Sequence, residues 1–152
     1  MLNVTDKGLG AAAAAFAAIN LLSSLPAIAK SPPEGFWLTE DKTIAVALGA
    51  CEEESSKLCG IVSGLPGAAS DAELARYKSQ LCGLPVLWNL QWASEGERWE
   101  RGKILDPETE MVYDLQASIK GSLLVLQIIG ENGKPGETMT WQKITTFKEA
   151  CW

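Results

Sequence analysis

The 152-residue sequence contains no histidine. That excludes a histidine general base, Ser–His or Cys–His nucleophiles, and His-ligated zinc. Basic residues are scarce as well, with 13 Lys and Arg against 19 Asp and Glu and a net charge of −6. Such a chain is repelled by phosphate, so no nucleic-acid partner is expected, nor electrostatic docking on anionic lipid. The four cysteines form no C-x-x-C pair and have no basic neighbour, which argues against a Cys₄ zinc site and a reactive thiol. No cofactor or metal is implied. Charge is missing altogether between Gly8 and Ala29.

That uncharged run is the first positive feature. It passes through Ala11 to Ala18 and Leu21-Leu22 and ends in Ala27-Ile28-Ala29, a small-x-small cleavage site followed by Lys30. Pro26 discourages the helix from continuing into the cleavage site. Residues 1–29 therefore read as a secretory signal peptide and 30–152 as the mature domain, periplasmic or secreted, with no stable membrane insertion after cleavage. The competing reading is a retained anchor, since 22 uncharged residues suffice to span a bilayer. Against it stand the many alanines, with Asn20, Ser23, Ser24 and Pro26 interrupting the run.

Cysteine usage agrees with export. Cys51, Cys59, Cys82 and Cys151 all lie after Ala29, and an even count in an exported chain favours disulfides. Three pairings are open. If the apolar runs on either side of Glu52–Lys57 are hairpin strands, Cys51 and Cys59 face each other at the loop base. Cys82–Cys151 then remains, and closing so long a loop stabilises by roughly 4 kcal/mol on the chain-entropy account.

The rest of the chain, 47% apolar and 21% charged, has a globular composition. Strands are expected at Phe36–Thr39, Lys42–Leu48, Leu58–Leu65, Pro85–Trp92, Arg98–Leu105, Met111–Ile119, Ser122–Ile129 and Glu137–Ile144. Asp106-Pro107 and Glu131-Asn132-Gly133 are turn signals between them. One helix is expected over Ser70–Gln80, with Ser70 and Glu73 spaced as a capping box. About eight short strands joined by short loops predict an all-β, antiparallel up-and-down barrel with one short helix, expected to be a monomer. Trp99 and Ile104 are five positions apart and would face opposite sides of a regular strand. Gly102 permits a bulge that brings both inward.

These residues resemble a family of exported bacterial proteins, the domain of unknown function numbered 2147. The resemblance begins at Gly35-Phe36-Trp37, a G-x-W similar to the first-strand motif of lipocalins. It continues through Cys51, Leu58-Cys59-Gly60-Ile61-Val62, Leu81 and Gly83. Its most specific stretch is Trp99-Glu100-Arg101-Gly102-Lys103-Ile104-Leu105-Asp106-Pro107, similar to the family's W-x-G-G-x-I-Y-D-P. Tyr113 and Thr140-Trp141 follow. Arg101 and Leu105 replace the usual glycine and tyrosine, Glu110 stands where a turn glycine is expected, and Ile128 where another is common. The segment rich in Asp and Asn before the helix is largely missing. The resemblance implies a lipocalin-like, calycin-type barrel and a periplasmic or secreted location, and names no activity.

Three functional readings follow. Trp37, Trp88, Trp99, Tyr113 and Trp141 are the candidate lining of a pocket inside the barrel for a small hydrophobic ligand, and the same residues also suit ordinary core packing. The alternative is a protein-binding module, or an inhibitor of a secreted enzyme, that acts through its loops. The third is an acid-dependent hydrolase built on Asp106, Glu108 and Glu110 or on Glu52–Glu54. These acidic turns lack an accompanying sugar-binding pattern and the spacing of a calcium loop. No catalytic residue is therefore assigned, and the chain is expected not to be an enzyme.

Overall fold

The computed structural model describes residues 30–152. The proposed signal segment lies outside the described residues. Eight antiparallel strands, each paired to its neighbour in sequence, close into a barrel: β1 (Gly35–Leu38), β2 (Ala45–Ala50), β3 (Leu58–Gly64), β4 (Pro85–Ala93), β5 (Arg98–Leu105), β6 (Val112–Lys120), β7 (Leu123–Ile129) and β8 (Pro135–Ile144). The expected all-β, lipocalin-like architecture is thus what the chain adopts. One helix, α1 (Asp71–Leu81), lies between β3 and β4. The seam is made by the short β1, whose Phe36, Trp37 and Leu38 face Ile144, Lys143 and Gln142 of β8.

Local chemistry explains the element boundaries. The Ser70 side chain accepts a hydrogen bond from the Glu73 amide, and the Glu73 carboxylate accepts one from the Ala69 amide, so both halves of a capping arrangement start α1. β2 begins at Ala45 rather than Lys42. Lys42 is left-handed (φ 63°), inside a turn where Asp41 accepts hydrogen bonds from the Thr39 hydroxyl and from the Thr43 amide and hydroxyl. At the other hairpin signal a single 3₁₀ turn forms, with Asn132 and Gly133 both at positive φ.

The inward faces fuse into one core: Val46 and Leu48 from β2, Leu58 and Val62 from β3, Leu87 and Leu90 from β4, and their counterparts around the barrel. β5 enters this core as the Gly102 argument expects. Trp99 and Ile104 are both buried, and the β5–β6 register shifts between Trp99 and Gly102. The left-handed residue at the bulge is Arg101 (φ 60°), and Gly102 serves a different purpose. A Cβ on Gly102 would lie 2.3 Å from the Leu90 side chain, so its absence is what lets the fully buried Leu90 reach the axis.

Two of the positions where the resembling family carries glycine, Arg101 and Glu110, have φ of 60° and 57°. The backbone demand for glycine is therefore intact there, and the side chains sit in a conformation that costs an L-residue about 1 kcal/mol or more. Arg101→Gly and Glu110→Gly are each expected to stabilise by about 0.5–1 kcal/mol, the relieved strain being partly offset by the freer unfolded chain. Urea denaturation checks this; a lower midpoint in both variants would mean that side-chain contacts outweigh the strain.

Both disulfides form. Cys51 is joined to Cys59 across the base of the β2–β3 hairpin, and Cys82, at the end of α1, is joined to Cys151 near the end of the chain. Beyond β8 the chain runs back over the outside of the barrel. Phe147 packs edge-on against Phe36, the Leu65 amide donates to Glu149 O, and the Cys151 amide donates to Ser63 O. A Cβ on Gly64 would lie 2.2 Å from the Phe147 ring, so glycine lets that ring rest directly on the β3 backbone.

Candidate functional site

The strand directions define two ends. The lower end carries the β2–β3, β4–β5 and β6–β7 connections, and the upper end carries the β1–β2 loop, α1 and the β5–β6 and β7–β8 loops. Trp99 and Trp141 belong to the lower half, Trp37 sits on the seam strand opposite Val46 and Lys143, and all three are buried. Trp99 meets Trp92 edge-on at 5.5 Å between ring centroids. The small Ala117 lies opposite Trp99 on β6, which leaves room for the indole. The Lys143 ammonium stands 5.7 Å from the Trp37 ring centroid and covers it from the β8 side. These rings are part of the filled barrel core. The Trp37 Nε1 is buried without a hydrogen-bond partner among the described residues.

The other two candidates are elsewhere. Trp88 is opposite Lys103, whose ammonium pairs with Asp114 on the outer face, whereas its neighbour Leu87 is opposite the buried Ile104. Trp88 therefore faces outward. Tyr113 lies opposite Ile104 at the upper rim, 38% exposed. The five candidates thus do not form one pocket. Three are buried in the core, one is on the outside, and one is at the upper rim.

The upper end offers what the lower end lacks. The helix leans on the core through the half-buried Leu74, Tyr77 and Leu81, covering one side. Away from the helix, a groove of about 1110 Å³ runs from the upper rim along β5–β7. Its apolar lining includes Met111, Val112, Tyr113, Ile128 and Ile129. Met111 and Val112 are 53% and 49% exposed. Its charged lining is largely neutralised in place: Arg98 pairs with Glu100 at 2.6 Å, and Lys103 with Asp114. A second concavity of about 480 Å³ lies lower on the same side, between Gly96, Ser118, Val125 and Thr138. Sequence reasoning missed Met111, Val112, Ile128 and Ile129. The usable signal was Met111-Val112-Tyr113 itself, three apolar residues directly after a turn.

Carboxylates at the upper end build turns. The Thr109 hydroxyl and the Glu108 amide donate to Asp106 at 2.7 and 2.9 Å, and these two bonds hold its carboxyl below the usual aspartate range. At Asp41 partial burial pushes the carboxyl up, and the hydrogen bonds from Thr39 and Thr43 outweigh it, leaving it below the usual range. A general acid needs the opposite shift. Among the described residues no group of three or more Cys, Asp or Glu converges in a manner that holds a metal ion. Among the same residues no helix is long and apolar enough to cross a membrane.

A closed eight-stranded meander with a filled core and one helix between β3 and β4 defines a lipocalin-like barrel. The chain belongs to the family described as uncharacterized protein conserved in bacteria (DUF2147), which matches residues 35–143. Among solved structures it is similar to protein HP1028 from Helicobacter pylori, described as belonging to the lipocalin family. The identity is 14%, the match covers 74% of this chain and 82% of that one, and the TM-score is 0.51. At that identity the likeness concerns the fold. No curated protein sequence matches the chain.

Proposed function

We propose that this protein is an exported, non-enzymatic binding protein of the bacterial periplasm or exterior. Its cargo is a small hydrophobic molecule taken up at the groove beside the upper rim. The carrying observation is the apolar lining of that groove, with Met111, Val112 and Tyr113 presented beside Ile128 and Ile129. Binding draws on apolar burial at about 25 cal/mol per Å², reduced by the cost of association. The closed ladder and filled core keep the barrel rigid, so little order is lost when the groove fills. Export is supported by the pairing of all four cysteines.

Native mass spectrometry of protein purified from a bacterial periplasm tests the reading. A co-purifying small molecule is expected. A panel of fatty acids and lipids is expected to compete with an apolar fluorescent dye for the groove. Met111→Glu is expected to weaken binding about tenfold or more by putting a charge where apolar surface is buried. Absence of both co-purification and competition would overturn the ligand reading.

A second reading rests on the openness of the same groove. An apolar strip on a rim, exposed rather than enclosed, also suits a protein partner. Under that reading Met111→Glu abolishes capture of a specific envelope or secreted protein, while the lipid panel has no effect.

A further inference from the structure

The register places an apolar row across the outside of the barrel. Ile144 of β8 faces Phe36 of β1, Phe36 faces Ala47 of β2, Ala47 faces Ile61 of β3, and Ile61 faces Pro85 of β4. Phe36 and Ile61 remain 38% and 37% exposed. Beside this row Ala45 faces Gly64, and both are buried. Gly64 is covered by the chain after β8, where Phe147 lies on it and against Phe36. Residues 145–152 thus form a strap over an apolar outer face.

The strap holds on by little besides its covalent tether. Two backbone hydrogen bonds join it to β3 and its immediate extension, and the Gly64–Ala150 bridge is isolated rather than part of a ladder. Thr145, Thr146, Lys148, Glu149 and Ala150 are exposed. Ordering eight residues for two hydrogen bonds and one aromatic ring is entropically unfavourable without a link that keeps the chain end in place. Cys82–Cys151 is that link. Cys82 is anchored independently, because Gly83 donates to Val62 O and the Val62 amide donates to Leu84 O. The barrel ladder itself contains no residue of the strap.

We propose that Cys82–Cys151 is a redox-sensitive clasp: reduced by a dithiol, it releases residues 145–152 and uncovers the apolar face of β1–β3 while the barrel stays closed. A thiolate of the reductant attacks one cystine sulfur, forms a mixed disulfide and expels the other sulfur, which takes up a proton. The second thiol of the reductant then displaces the mixed disulfide. Two electrons pass to the protein, Cys82 and Cys151 end as thiols, and the dithiol leaves oxidised. Cys51–Cys59 has no such consequence, because it closes only its own hairpin. The clasp goes beyond the ligand reading and does not depend on it.

The full chain is compared oxidised, reduced with dithiothreitol, and as Cys82→Ser/Cys151→Ser with Cys51–Cys59 intact. Tryptic cleavage after Lys148 is expected to accelerate about tenfold or more on release. Exchange protection of the Leu65 and Cys151-position amides is expected to vanish, while Leu124 and Leu126 of β7 stay protected, their protection falling only as far as the loss of global stability carries it. Unchanged cleavage and protection would overturn the proposal. So would complete loss of protection at both the strap and β7, in the double variant and under dithiothreitol alike, because the barrel would then open together with the strap.

Discussion

Trp99→Ala is expected to lower the free energy of unfolding by about 3–5 kcal/mol. Trp99 is 1% exposed, stacks edge-on with Trp92 and faces the small Ala117. Truncation removes the indole from a place where nothing is positioned to refill the space. A closed ladder also resists collapse around the void more than a loop-bounded core does, because moving one strand displaces both neighbours. Set against a typical domain stability of about 5–15 kcal/mol, the loss is severe. Urea unfolding measures it: the midpoint falls and the slope stays unchanged. A loss under about 1 kcal/mol would mean that the lower end is not where the barrel is consolidated.

Removing the Cys82–Cys151 bond as a Ser pair is expected to cost about 4 kcal/mol, and removing Cys51–Cys59 roughly 2–3 kcal/mol. The order follows from the spans closed in the unfolded chain, 69 residues against 8. Differential scanning calorimetry of the two double variants reads the order directly. The reverse order would show that hairpin geometry in the native state, rather than freedom in the unfolded state, sets these contributions.

Much of the fold was legible because the inward and outward residues alternate with turn chemistry between them. Val46 and Leu48 on one face, Ser70 with Glu73, and Asp106 accepting from Glu108 are all local rules that tertiary packing leaves alone. Trp88 was not legible for the same reason that made its neighbours so. A strict period of two puts Trp88, Leu90 and Trp92 on one face. Asn89 is left-handed (φ 62°) and donates from its side chain to Arg101 O, which is left-handed too. The paired kink breaks the period, so Leu90 and Trp92 turn inward while Trp88 stays outside. The groove was illegible because its lining comes from β6, β7 and two loops, and only the closed register brings those together. The strap was illegible because Thr145–Trp152 carries no periodicity, and its hold depends on one ring and one distant cysteine.

The four-residue seam strand has a kinetic consequence. β1 pairs on one side with β2, a near neighbour, and on the other with β8, the last strand of the barrel. Until β8 arrives, the other strands form an open sheet with two unpaired margins, and every contact across the seam joins segments far apart along the chain. Closure should therefore be the slow step of folding, and the species that waits for it the one most prone to self-association. Dilution during refolding should raise the yield of closed barrel. A tether that holds β1 close to β8 should shorten the wait.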